Sequence, residues 1–253
     1  MTKLTFLGTG TSQGVPMIGC GCDVCRSRDS RDKRLRSSVL VEHEGRTFLV
    51  DAGPDFRQQM LRAEVSHVDA ILLTHNHKDH TGGLDDIRAF NYLENKASQI
   101  YCEKYVEDAL RMEYSYAFAE KKYPGAPEWD VHIIDENPFS INGVEIIPIR
   151  GMHYKLPVLG YRFGNIAYCT DMNHIPEEEF AKLQGLDHFV INCVKYGKHI
   201  SHFALEEAVA VAQKVGAKHS WLTHLSHQLP CYETLTVELP AGILPAYDGL
   251  VLE

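Results

Sequence analysis

"THNHKDHTGG", residues 74–83, decides the reading of this chain. It places His75, His77, Asp79 and His80 within six positions, directly behind the apolar run "AILL". After a strand the chain must turn, and a tight turn aims alternate residues at one point. His75 and His77 can therefore share one ion, and Asp79 and His80, half a turn on, can hold a second. Gly82 and Gly83 relieve crowding where the backbone bends. Histidine is the commonest protein metal ligand, so H-x-H-x-D-H behind an apolar strand reads as a two-metal site rather than a polar loop.

Working outward, the same pattern recurs. Strands are expected at "KLTFLG", "SSVLVEHEGRTFLVDAG" (a hairpin turning at "EHEG"), "AILLTH", "VHIID", "VEIIPIR", "VLGYRFG", "NIAYCTD", "HFVINC" and "SWLTH". Asp171 ends "NIAYCTD", His224 ends "SWLTH", and His153 follows "VEIIPIR" by two residues. Strand ends are where sites gather in α/β folds, because loops there rest on a rigid sheet. Helices are expected at "PDFRQQMLRAE", "GGLDDIRAFNYL", "EEEFAKLQ" and "HFALEEAVAVAQKVG". In the last, Ala204, Ala208, Val211 and Val215 fall at helical spacing and Gly216 marks the stop. Strands interspersed with helices give an α/β class. Residues 101–130, rich in tyrosine, read as a helix packed on the body of the protein or on a partner subunit, with a lid or a stacking wall for a base or ribose as the alternative.

The 253 residues suffice for one sizeable domain spanning 1–253. No apolar run is long enough to span a membrane, and the start lacks a cleavable leader pattern, so a cytoplasmic protein is expected. The 25 Lys and Arg against 34 Asp and Glu leave a net charge of −9. That disfavours an extended nucleic-acid surface, though bound metal ions can reverse the sign of a small pocket.

Here the sequence resembles the metallo-β-lactamase-fold hydrolases. The resemblance runs from Gly8 to "AYDGL" near the end, and no ligand position is missing or substituted. It implies an αββα sandwich, two mixed β-sheets flanked by helices, with a dinuclear site at one edge. It also implies roles. His153 would complete the first metal's ligands, Asp171 would bridge both metals, and His224 would complete the second metal's set. Asp51 in "FLVDAGPD" would support the site from behind. His174 is a rival to Asp171, three residues past the strand end. Two divalent ions, Zn²⁺ or Mn²⁺, would share a water and lower its pKa from about 15.7 towards 7. His77, standing where a carboxylate marks the di-iron relatives, favours hydrolysis.

"CGCDVC" supplies Cys20, Cys22 and Cys25, three thiolates that need a fourth ligand to close a structural zinc site. Cys231 and His227 are the candidates. The opening "LGTGTSQGVPMIGCGCDVC" resembles the PhnP-type cyclic phosphodiesterases, in which a histidine just past the last catalytic ligand holds that zinc. The resemblance therefore assigns His227. It also implies a histidine before the "FALEEA" helix that protonates the leaving oxygen, and His202 fits this better than His199. Catalysis is thus expected of His202, Asp79 and Asp51.

The expected substrate is a small phosphate ester, with cyclic ribose phosphates or cyclic nucleotides implied by the resemblance, and relatives allow a homodimer. The nearest rival, tRNA 3′ processing by a tRNase Z-like enzyme, usually comes with a Gly-rich basic arm that this sequence lacks. Thioester or lactam hydrolysis would leave His202 without a purpose, and a non-catalytic scaffold would usually show a broken ligand set.

Overall fold

The computed structural model describes residues 2–253. Among these, fourteen strands form two seven-stranded sheets. The first contains β1 (Thr2–Gly8), β2 (Ser38–His43), β3 (Arg46–Val50), β4 (Ala70–Leu72), β5 (Ser98–Cys102), β6 (Trp129–Ile133) and β14 (Val251–Leu252). The second contains β7 (Phe139–Ile141), β8 (Val144–His153), β9 (Leu156–Phe163), β10 (Ile166–Cys169), β11 (His188–Asn192), β12 (His219–Thr223) and β13 (Ile243–Pro245). Their orders are β14-β1-β2-β3-β4-β5-β6 and β13-β12-β11-β10-β9-β8-β7. Each sheet is antiparallel on one side and parallel on the other: β3 to β6 run parallel, as do β10 to β13.

Side-chain alternation along the strands builds three apolar layers. Leu4, Phe6, Val39, Val41, Phe48 and Val50 face Leu159, Tyr161, Phe163, Ile166 and Tyr168 between the sheets. The interleaved Leu7, Leu40, Leu49, Ile71 and Ile100 point outward to a helical layer. On the far side, Val158, Ala167, Cys169, Phe189 and Ile191 do the same. The result is helices, sheet, sheet, helices, the αββα sandwich.

The helices are α1 (Asp23–Arg26), α2 (Phe56–Arg62), α3 (Lys78–Thr81), α4 (Arg88–Glu94), α5 (Lys104–Glu113), α6 (Leu205–Val215) and α7 (Tyr232–Glu238). α2, α4 and α5 contribute Phe56, Met60, Phe90, Val106 and Leu110 to one outer layer. Of the tyrosine-rich residues 101–130, Lys104–Glu113 form a helix packed on the first sheet, and the two ends belong to β5 and β6. α6 packs through Leu205, Ala208, Ala212 and Val215, so its buried stripe lies slightly off the one the sequence suggested. Ala204 precedes the helix, and its N–H is capped by Glu207 Oε2 at 3.0 Å. Gly216 closes the helix at φ 66°, the left-handed stop that glycine adopts freely.

Several boundaries differ from the sequence reading. "EEEFAKLQ" forms a 3₁₀ run, Glu177–Leu183, not an α-helix. β4 ends at Leu72, because the Thr74 N–H turns to the Asp51 carboxylate at 2.9 Å instead of continuing the ladder. β5, β7, β13 and β14 were not anticipated. No helix among the described residues is long and apolar enough to cross a membrane.

Candidate metal centre

The C-terminal ends of β3, β4, β10 and β12, with the end of β8, converge at one edge of the sandwich. They deliver Asp51, His75, Asp171, His224 and His153. A threonine precedes the key residue on three of these strands: Thr74 before His75, Thr170 before Asp171, Thr223 before His224. The threonine is the last strand residue in β12 and lies one or two positions past the strand end in β10 and β4. In two cases its hydroxyl also binds its neighbour's side chain: Thr170 Oγ1 donates to Asp171 Oδ2 at 2.7 Å, and Thr74 Oγ1 meets His75 Nδ1 at 2.9 Å.

Two groups of ligand-type atoms result, each with its members within 4.8 Å of one another. One holds His75, His77 and His153; the other holds Asp79, His80, Asp171 and His224. Asp171 also falls within the same limit of His153 and His202, so its carboxylate stands between the two groups. His174 is exposed and joins neither group.

The histidines are oriented from behind. Asp51 Oδ2 accepts from His80 Nδ1 at 2.6 Å and from Thr74 Oγ1 at 2.8 Å. Since the Thr74 hydroxyl proton goes to Asp51, Thr74 Oγ1 accepts from His75 Nδ1, leaving His75 Nε2 with a lone pair. His153 Nδ1 donates to the Ser201 carbonyl at 2.8 Å, which likewise frees Nε2. Such outer partners fix tautomer and ring orientation in metal sites.

The donor set fits a cation. His75 Nε2 and His80 Nε2 are buried with no hydrogen-bond partner. Leaving one such nitrogen unpaired costs about 1–3 kcal/mol. His80 Nε2 lies 3.2 Å from Asp171 Oδ2 and 3.3 Å from Asp79 Oδ2, without hydrogen-bond geometry to either. A lone pair facing two carboxylates requires a positive charge between them. Burial opposes protonation of His80, but Asp171, Asp79 and Asp51 outweigh it and hold its pKa well above the usual histidine range. Burial, reinforced by nearby His80, keeps His75 well below that range, and burial brings His224 down to about 4. Both are therefore neutral, as metal ligands must be.

Backbone geometry reflects the crowding. Asp51, Asp171 and His224 sit at φ 64°, 57° and 54°, the left-handed region that non-glycine residues rarely enter. A side chain at Gly53 would lie 2.0 Å from the Asp79 carbonyl, and one at Gly83 would lie 2.1 Å from the Gly53 carbonyl. These two glycines let the Asp51 loop and the His75–His80 loop stack backbone on backbone, joined by Ala52 N to His80 O and Gly83 N to Ala52 O at 2.8 Å each.

His202 Nε2 lies 2.9 Å from Asp171 Oδ1, and its Nδ1 lies 3.1 Å from His199 Nδ1. His199 is one residue further from the centre. A cavity of about 520 Å³ opens beside the first group, lined by His77, His153 and residues of the two adjoining loops.

The cysteines form a separate cluster. Cys20, Cys22, Cys25 and His227 bring four ligand atoms within 4.8 Å of one another. His227 Nδ1 is 3.4 Å from Cys20 Sγ and 3.5 Å from Cys22 Sγ. Cys231 packs against the cluster without joining the four. The Cys25 backbone N–H, then His227, bring the Cys22 thiol down to about 6, whereas burial pushes Cys25 up to about 11. A bound cation would displace the Cys25 proton. Three thiols and an imidazole are a zinc-type set. It ties the N-terminal loop to the turn after His224, and Ser37 Oγ adds a contact to His224 Nδ1 at 3.2 Å.

Thr74, Ser37 and Asn173 were absent from the sequence reading. The repeated "LTH" of residues 73–75 and 222–224 was the available signal for the first.

Residues 46–225 match the family model of the Beta-lactamase superfamily domain. The chain is 42% identical over 251 residues to a Porphyromonas gingivalis protein named octanoyltransferase, covering 98% of the chain and 51% of that protein. It is 30% identical over 156 residues to the coenzyme PQQ synthesis protein B of Methylococcus capsulatus, covering 56% and 50%. The chain thus spans about half the length of these curated relatives. Among solved structures, a new diphosphatase from the PhnP family superposes with a TM-score of 0.93 at 39% identity, covering 99% of this chain and 96% of that one. The short form of human tRNase Z shares the fold, with a TM-score of 0.73 at 19% identity over 99% and 98%.

Proposed function

Because the chain belongs to the β-lactamase superfamily, we propose that it is a metal-dependent phosphodiesterase acting on a small, cyclic phosphate ester. The observation that carries this reading is Asp171, whose carboxylate joins two histidine-rich groups and also contacts His202 at 2.9 Å. Two divalent ions, Zn²⁺ or Mn²⁺, would supply Lewis-acid polarisation of the phosphoryl group and acidify a water. His75, His77 and His153 would hold one, and Asp79, His80 and His224 the other, with Asp171 reaching both. Asp51 fixes His80 directly and His75 through Thr74. His202 would carry the proton that the departing alkoxide needs. Cys20, Cys22, Cys25 and His227 would hold a structural Zn²⁺. The likeness to a PhnP-family diphosphatase supports a phosphate-ester substrate.

A second reading, acyl thioester hydrolysis, takes its support from the relative named octanoyltransferase, of which the chain spans half. The His202 position favours the first reading, since a thiolate leaves without a proton and an alkoxide does not. The test is the initial rate with 2′,3′-cyclic AMP and added Mn²⁺ or Zn²⁺, run beside His80→Ala and beside octanoyl-pantetheine as counter-substrate. Metal-dependent turnover of the cyclic ester, lost in the variant, supports the phosphodiesterase. Turnover of the thioester alone would replace it with the acyl reading.

A further inference from the structure

The cavity beside the metal centre has an unusual wall. Besides His77 and His153 it is lined by Tyr154, Lys155, Leu156 and Ile200. Tyr154 is 52% exposed and Ile200 is 68% exposed, although both are large and apolar. Tyr154 also occupies the left-handed region at φ 58°, in the two-residue turn between β8 and β9. Such turns favour Asn, Asp and Gly, and a bulky residue there is strained. Strain and exposure together mark a side chain kept for what it contacts outside the fold.

Both residues are anchored through their backbones by one side chain. Asn173 Oδ1 accepts from Tyr154 N at 2.9 Å, and Asn173 Nδ2 donates to the Ile200 carbonyl at 3.0 Å. Asn173 N donates in turn to the Met152 carbonyl at 2.8 Å. With His153 Nδ1 on the Ser201 carbonyl, the hairpin tip and the loop before His202 are fastened together. None of these bonds uses the Tyr154 or Ile200 side chain. The Lys155 ammonium stands 5.4 Å from the Tyr154 ring centroid, adding one cation to the wall.

We propose that Tyr154 and Ile200 form a two-sided clamp for a nucleobase carried by the substrate's ribose, with Asn173 as the positioning residue that sets the two jaws. The inference rests on the phosphodiesterase reading and narrows its substrate class from cyclic phosphates to cyclic nucleotides. A base presents a flat apolar face that an aromatic ring and a branched aliphatic side chain can grip without reading sequence.

The test compares kcat/KM for 2′,3′-cyclic AMP and for ribose cyclic phosphate lacking the base. The ratio of the two should fall about tenfold or more in Tyr154→Ala and Ile200→Ala, consistent with the loss of one stacking contact. Tyr154→Phe should keep the ratio, and Asn173→Ala should lower it chiefly through KM. Equal losses on both esters, or none, overturn the clamp while leaving the phosphodiesterase reading intact. Should neither ester be turned over, that reading fails, and product binding still decides the clamp. By calorimetry adenosine 3′-phosphate should bind about tenfold more tightly than ribose 3-phosphate, and Tyr154→Ala should erase the difference. Equal binding of the two products overturns it.

Discussion

Asp51 Oδ2 lies 2.6 Å from His80 Nδ1, with both side chains fully buried. This pair fixes the His80 ring so that Nε2 points toward Asp79 and Asp171, and the same oxygen reaches His75 through Thr74. One carboxylate therefore orients one histidine of each group.

Asp51→Asn should lower metal affinity about 10- to 100-fold at both positions. Asparagine tolerates the left-handed backbone at φ 64°, so the fold should persist. An amide keeps one acceptor oxygen and cannot serve His80 and Thr74 as a carboxylate does. Metal titration alongside circular dichroism checks this; unchanged affinity would remove Asp51 from the site's support.

His202→Ala should reduce turnover by about one to three decades and leave the metal content of the purified protein as it was. His199→Ala should have a smaller effect, because His199 reaches the centre only through His202. Equal turnover in His202→Ala would take it out of the mechanism.

His227→Ala should lower zinc by about one ion per chain, since a Cys₃ set is open where a structural site must be closed. Elemental analysis after exhaustive dialysis reads this directly. Zinc stoichiometry equal to that of the unmodified protein would assign the fourth position elsewhere, with Cys231 next to be tested.

Gly53→Ala should destabilise the protein by about 1–3 kcal/mol, the usual range for forcing atoms into a packed place, because the new methyl would meet the Asp79 carbonyl 2.0 Å away. Gly143→Ala is the control. Unlike Gly53 it has positive φ, 87°, but it opens onto free space, so only the backbone strain of about 1 kcal/mol applies there. A Gly53→Ala urea midpoint equal to that of the unmodified protein would show that the close approach does not matter.

The parts of the fold written in side-chain period were legible. Long alternating strands such as "TFLV" and "LGYRF" bury every second residue between the sheets, and the ligand-type residues announced themselves by following such runs. The short edge strands were not legible. β7 has three residues and β14 two, too few to establish a period. The signal for β7 lay instead in the turn that follows it, Asn142-Gly143, both at positive φ. Relations between distant segments were invisible for a different reason. Asn173 binds Tyr154 and Ile200, and Ser37 meets His224, through pairings that only the closed sandwich creates. A sequence shows which residues can bind, and it shows partners only when they are neighbours along the chain or share a periodic face.

The left-handed backbone at Asp51, Asp171 and His224 sets durability against activity. Each position holds about 1–3 kcal/mol of conformational strain, which glycine would release. Two of the three also hold a buried carboxylate that glycine would remove. Glycine at 51 would also strand the Thr74 N–H, the Thr74 hydroxyl and His80 Nδ1 without their acceptor, at about 1–3 kcal/mol for each buried group, so selection for heat resistance alone should retain Asp51 and turn to position 224 for glycine. The same three positions are the ones to hold fixed when a more robust catalyst is wanted.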